Sequence, residues 1–174
     1  MGAERLLCGV LAGPEATEAF GEALGQRLPA KTLLALNGEL GSGKTTLVRG
    51  LARGLEVVAG VVSPTFARMR ILPGRLTLYH FDAWRGGAED LFLEGQEFLS
   101  GAGVAVVEWA ERVAATLPLP RLELTLTHRS PQERGLEGWL RYVPQEAENL
   151  QRALRAALLE AGRACGIQAR EPQG

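Results

Sequence analysis

One stretch of this 174-residue chain has residue types at a spacing that could do chemistry: Gly38-Glu39-Leu40-Gly41-Ser42-Gly43-Lys44-Thr45-Thr46. It fits G-x-x-x-x-G-K-[ST], the phosphate loop of ATP- and GTP-binding proteins. Glycines at 38, 41 and 43 let the backbone close around phosphates and turn several N–H groups inward. Lys44 would place a compact positive charge on the β- and γ-phosphates, and the short, hard hydroxyl of Thr45 suits Mg²⁺. Such a loop binds phosphate; hydrolysis or transfer also needs an acid beside the metal, a group to orient the nucleophile, and charge stabilisation. Glu108 closes the apolar run Val104-Ala105-Val106-Val107, the Walker-B position for a carboxylate beside Mg²⁺. A glutamate there reaches one methylene further than an aspartate, toward a metal-bound or attacking water. Asp82, at the end of the run through His80-Phe81, could hold a metal-bound water or an arginine. His80 itself reads as a packed or partner-bonded histidine and is assigned no catalysis. Ser63-Pro64-Thr65-Phe66 offers the Thr65 hydroxyl as a switch that could reach Mg²⁺ and sense the γ-phosphate, although alone it also reads as a plain Ser-Pro turn. Trp109 is either core or a wall of the nucleotide site, while Trp84 and Trp139 read as core.

The elements that must position these residues follow from periodicity. Leu6 to Leu11 reads as a first strand, and residues 16–28, with Phe20, Ala23, Leu24 and Leu28 at helical spacing, as an amphipathic helix after the Gly13-Pro14 turn. Thr32 to Leu36 is a short buried strand running into the phosphate loop. The helix after the loop carries Leu47, Val48, Leu51 and Leu55 on one face, and its N-terminus adds partial positive charge beneath the phosphates. Gly54 weakens the end of that helix. Val57 to Val62 is β-branched and predicts a strand ending at Ser63-Pro64. Met69–Leu72 and Leu76–Phe81 flank Pro73-Gly74 and predict a hairpin. Residues 88–99 predict a helix, and 104–107 a strand apolar on both faces, as parallel strands are. Leu122, Leu124 and Leu126 alternate with polar residues; 128–138 reads as a polar loop; 139–143 predicts the return strand, and 150–161 a C-terminal amphipathic helix. Alternating strands and helices around a phosphate loop predict an α/β fold, a P-loop NTPase-like three-layer sandwich with a partly parallel, mixed central sheet. One ATP-binding domain spans 1–166, with a flexible tail over 167–174.

Composition narrows the class. The net charge of −1 argues against a dedicated nucleic-acid binder with a broad basic face. No apolar run is long enough to span a membrane and no signal peptide is evident, so the expected location is the cytoplasm. Cys8 and Cys165 lack metal-type spacing and read as reduced thiols. Basic residues are nearly all arginine, yet one of the two lysines, Lys44, sits in the phosphate loop; acids are nearly all glutamate, yet one of the two aspartates is Asp82.

The phosphate loop followed by Arg49-Gly50-Leu51, Ser63-Pro64-Thr65-Phe66, Tyr79-His80-Phe81-Asp82-Ala83-Trp84-Arg85 and Val107-Glu108-Trp109, preceded by Thr17 and Gly21, resembles the TsaE (YjeE) family. The likeness covers roughly residues 5–127. It implies a small ATPase of bacterial tRNA threonylcarbamoyladenosine biosynthesis, working with TsaD and TsaB and meeting tRNA only indirectly. It implies ATP and Mg²⁺ as cofactors, with Gly41, Ser42, Gly43, Lys44, Thr45 and Thr46 on the phosphates and Thr45 and Glu108 near the metal. It further implies Thr65 as the switch hydroxyl, Asp82 as an essential acid and Thr17 near the adenine. The segment Arg68–Arg75 departs from the family pattern in being short, and 128–174 matches poorly. Two other readings stay open. A small-molecule P-loop kinase would use the Arg-rich segment 128–141 as a mobile lid, and a nucleotide-regulated binding module would hardly hydrolyse. A GTPase lacks its N-K-x-D reader here: Asn37 and Asn149 are followed by Gly and Leu.

Overall fold

The computed structural model describes residues 1–59, 69–84 and 102–168. Among the described residues, seven strands form one mixed sheet: β1 (Gly2–Ala12), β2 (Thr32–Gly38), β3 (Met69–Leu72), β4 (Leu78–Asp82), β5 (Val104–Glu108), β6 (Arg121–His128) and β7 (Glu133–Tyr142). Their order across the sheet is β1-β7-β6-β2-β5-β4-β3. The parallel centre, β6-β2-β5-β4, is flanked by antiparallel strands on both sides. β5 is buried along its whole length between β2 and β4, as its unbroken apolar sequence requires.

Three helices, α1 (Pro14–Gly25), α2 (Lys44–Gly54) and α3 (Glu148–Ala164), pack on one face. Phe20, Leu24, Leu47, Leu51, Leu154 and Leu158 meet Leu34, Leu36, Leu122, Leu124 and Leu140 from the strands in the main core. Each fully buried side chain of this size contributes about 1.5–3 kcal/mol relative to exposure. On the opposite face Leu33, Ala35, Phe81, Ala105 and Val107 are covered, among the described residues, by two 3₁₀ turns at Ala110–Arg112 and Ala114–Thr116 with Val113 and Leu117.

α1 and α2 meet along a seam of four glycines. A Cβ on Gly21 would lie 2.2 Å from the Leu47 carbonyl oxygen, and one on Gly25 2.4 Å from that of Leu51. From α2, a Cβ on Gly50 would lie 1.9 Å from the Glu18 oxygen, and one on Gly54 2.3 Å from that of Glu22. The two backbones are in contact, so a glycine that reads as a weak helix end in sequence is a packing surface in the fold. Arg53 bridges the rim to Glu18 at 2.8 Å and to Glu22 at 3.7 Å.

Several expectations change. Residues 128–138 are not a loop: β6 continues to His128 and β7 starts at Glu133, leaving a connection of 129–132. β7 carries Leu136 and Leu140 to the main core, while Glu137, Trp139 and Arg141 occupy its other face and gave it a polar, loop-like composition. Trp139 is half-buried on that face, outside both core clusters, with the Arg5 and Arg141 guanidinium groups 5.8 and 5.9 Å from its ring centre. Val57–Ala59, the start of a predicted strand, is irregular chain. The rest of that segment, the switch motif with Thr65, the predicted helix 88–99 and residues 169–174 lie outside the described residues. Ile167, expected in a flexible tail, packs into the main core, and its N–H donates to Gly162 O. Among the described residues no helix is long and apolar enough to cross a membrane.

Candidate functional site: a phosphate loop at the strand ends

The parallel registers bring three strand ends into a row. Leu36 of β2 pairs with Glu108 of β5, and Glu108 pairs with Asp82 of β4. The phosphate loop leaves β2 just beyond this row and enters α2 at Lys44. Ligands of open α/β sheets bind in this crevice, outside the carboxyl ends of the strands. Two glycines make the loop possible. Gly38 has φ 150°, and a Cβ there would lie 2.5 Å from Ser42 Oγ and 2.7 Å from Leu126 O. Gly43, at φ 103°, is the left-handed residue from which α2 starts.

Lys44 is buried, and its Nζ donates to Glu39 O at 3.0 Å and to Gly38 O. The same ammonium lies 3.7 Å from the centre of the Trp109 ring. Burial lowers its pKa below the usual 10.5, and the carboxylates of Glu108, Glu111 and Asp82 act in the opposite sense. Thr45 Oγ1 donates to Glu108 Oε1 at 3.2 Å, so the two groups expected to share a metal ion already adjoin. The other Glu108 oxygen, Oε2, lies 2.5 Å from His80 Nε2, and both side chains are buried. Asp82, also buried, accepts the Trp84 N–H at 2.9 Å, closing the turn that follows β4. Ser42 Oγ is buried and finds no partner among the described residues.

Leu40, Gly41, Ser42, Gly43, Lys44, Thr45, Thr46, Glu108 and Trp109 line one open pocket of about 240 Å³. Trp109 lines this pocket and also packs against the second core cluster, held at φ 57°, a left-handed conformation unusual for a bulky side chain. Trp84 is not core: it is 49% exposed and packs at a tilt against Trp109 with ring centres 4.6 Å apart, while Arg112 lies 3.8 Å above its ring. A second pocket adjoins the first around Gly41, Gly43 and Thr46 and is bounded by Gly13, Pro14, Thr17, Pro131, Gln132 and Arg134. Thr17 faces this side, with its hydroxyl donating to Gly13 O at 3.2 Å. Arg134, without an assigned role in the sequence, donates weakly to Gly41 O at 3.4 Å. Arg141 is turned elsewhere, to Glu123 at 2.6 Å.

The structure therefore gathers Gly38, Gly41, Ser42, Gly43, Lys44, Thr45, Thr46, Asp82, Glu108 and Trp109 at one end of the sheet, with Thr17 at the neighbouring pocket. Sequence reasoning missed the bond from His80 to Glu108. The only available signal was the i, i+2 spacing of His80 and Asp82, which puts both on one face of a strand.

The family model described as "Threonylcarbamoyl adenosine biosynthesis protein TsaE" matches residues 11–136. The chain belongs to the TsaE family. It is 44% identical over 104 residues to the tRNA threonylcarbamoyladenosine biosynthesis protein TsaE of Treponema pallidum, covering 59% of this chain and 77% of the relative. It is 38% identical over 126 residues to the protein of the same name from Bacillus subtilis, covering 71% and 78%. The crystal structure of Bacillus subtilis YdiB superposes with a TM-score of 0.68 at 29% identity, over 90% of this chain and 97% of that one. Proteins of the TsaE family act in tRNA threonylcarbamoyladenosine biosynthesis, and their fold is the mixed α/β sheet found here.

Proposed function

We propose that this TsaE-family chain is a Mg²⁺-dependent ATPase whose turnover supports tRNA threonylcarbamoyladenosine modification together with TsaD and TsaB. The observation that carries the reading is the closure of Thr45 on Glu108 directly beside Lys44. A hydroxyl and a carboxylate at this spacing are hard oxygen donors of the kind Mg²⁺ takes. The donor set fits the ion, and the buried, unpartnered Ser42 hydroxyl fits a phosphate oxygen. Thr45 and Glu108 would hold Mg²⁺, which when bound neutralises charge on the β- and γ-phosphates.

The chain's own residues do the rest. Lys44 exchanges its loop carbonyls for phosphate oxygens. The loop N–H groups and the start of α2 draw in the anion. Trp109 screens the phosphates from water, Thr17 and Arg134 border the nucleoside side, and Asp82 holds the turn beside Glu108. Thr65 is the candidate switch hydroxyl.

Isolated, the protein hydrolyses ATP slowly, because no arginine among the described residues is fixed toward the γ-phosphate position. Arg75 is turned to the helix pair, donating to Gly25 O at 3.0 Å. Charge stabilisation supplied by a partner accelerates such sites roughly 10³–10⁵-fold. Turnover then resets the modification complex, and the protein remains cytoplasmic. The kinase alternative loses its lid, since 128–141 is mostly the β6–β7 hairpin.

Steady-state ATPase rates with and without purified TsaD–TsaB test the proposal. The expected result is a slow Mg²⁺-dependent rate that rises when the complex forms and is lost in Glu108→Gln, while ATP binding persists. A fast rate that the partners leave unchanged would overturn the partner-gated reading.

A further inference from the structure

We propose that His80 is the positioning residue that fixes Glu108 for metal–nucleotide binding. The inference rests on the reading of Glu108 as the carboxylate on the Mg²⁺ side. Parallel pairing of β4 with β5 sets His80 opposite Val106 and two residues before Asp82, so the imidazole lies beneath the carboxylate row. His80 has no exposed surface, and its Nε2 is 2.5 Å from Glu108 Oε2. The two oxygens of Glu108 therefore have separate tasks: Oε2 is anchored from below by His80, and Oε1 faces Thr45.

A glutamate needs such an anchor more than an aspartate does. Its extra rotatable bond gives it more freedom to lose when it is held in one place. A hydrogen bond from a buried ring removes that freedom before any ligand arrives, and hydrogen-bonded partners of metal ligands act in this way. The remaining ring nitrogen, Nδ1, is buried and meets no partner among the described residues. A bare acceptor is tolerated there better than an orphaned N–H, so Nε2 is the ring nitrogen that donates, aimed at Glu108. Among the described residues no second group stands at Nδ1 to which the ring could relay a proton. Its task is to hold.

The test is ATP affinity by calorimetry, measured with Mg²⁺ and with EDTA, for the wild type, His80→Gln, His80→Asn and His80→Leu. The amide nitrogen of glutamine can take the place of Nε2; that of asparagine falls near Nδ1 and cannot reach Glu108. Wild type and His80→Gln should both bind ATP more tightly with Mg²⁺. His80→Asn and His80→Leu should keep the EDTA affinity yet lose roughly 10-fold or more of the Mg²⁺ gain. If His80→Leu fails to fold, the contrast between His80→Gln and His80→Asn still decides. An equal Mg²⁺ gain in all folded variants would overturn the positioning role, as would equal loss in His80→Gln and His80→Asn. A wild type whose affinity ignores Mg²⁺ would overturn the metal reading itself, and this inference with it.

Discussion

Lys44 is held in a buried cage of its own loop, and the charge it carries there is costly. Its pKa in the fold is lowered from 10.5, chiefly by burial. Between the lowered value and 10.5 the unfolded chain binds more protons than the folded one, so this residue makes stability rise with pH across that window. A polyphosphate beside the ammonium raises the pKa again. ATP binding in that alkaline window should therefore take up protons, seen as a binding enthalpy that depends on the ionisation enthalpy of the buffer. Lys44→Ala should abolish the uptake and weaken ATP binding roughly 10- to 100-fold, the loss of charge-assisted hydrogen bonds worth about 1.5–3 kcal/mol. Unchanged affinity in Lys44→Ala would place the phosphates elsewhere. This residue was legible because the loop motif is local, eight consecutive positions with the two glycines, Lys44 and Thr45 fixed by type. His80 was not, because its partner lies 28 residues away and is reached only through the β4–β5 register.

Among the elements, the α1–α2 pair bears most directly on the site. α1 begins beside Thr17 and α2 begins at Lys44, so the glycine seam sets the distance between the pocket bounded by Thr17 and the phosphate loop. Gly50→Ala should destabilise the protein by about 1–3 kcal/mol or more through forced separation of the backbones. Urea unfolding would measure that loss, and ATP affinity should fall with it as Thr17 moves off Gly43. Gly166→Ala is the informative control for crowding. Nothing lies within 4 Å of its Cβ position, so its cost comes only from a φ of 70°. Sequence periodicity found α1, α2, α3, β5 and the β3–β4 hairpin, whose apolar spacing or turn residues are self-contained. It misjudged β7 because only one face of that strand packs on helices. Gly54 reads as a helix weakener, and Gly21, Gly25 and Gly50 carry no packing signal, because their value lies in a neighbour that the local sequence does not show.

For the molecule as a whole, a net charge of −1 and paired arginines limit what it can hold unaided. Arg5, Arg121, Arg141 and Arg155 are engaged with Glu137, Glu123 and Glu4. Isolated protein should bind tRNA no more tightly than the non-specific range of roughly 10⁻⁴–10⁻⁶ M at physiological salt, checked by filter binding. Tight, salt-resistant binding would make tRNA a direct ligand and displace TsaD–TsaB as the intermediary.

The indole rings of Trp84 and Trp109, 4.6 Å apart and tilted by 48°, are close and skewed enough to share electronic excitation. With the Lys44 ammonium over Trp109, that pair is an optical gauge built into the phosphate site. The third tryptophan, Trp139, sits away from it on β7 and contributes a steady background. A far-ultraviolet circular dichroism couplet should be present in the wild type, vanish in Trp84→Phe, and change in amplitude as ATP draws Lys44 off the ring. Arrival of the nucleotide could then be followed in the unlabelled protein, in real time, by light alone.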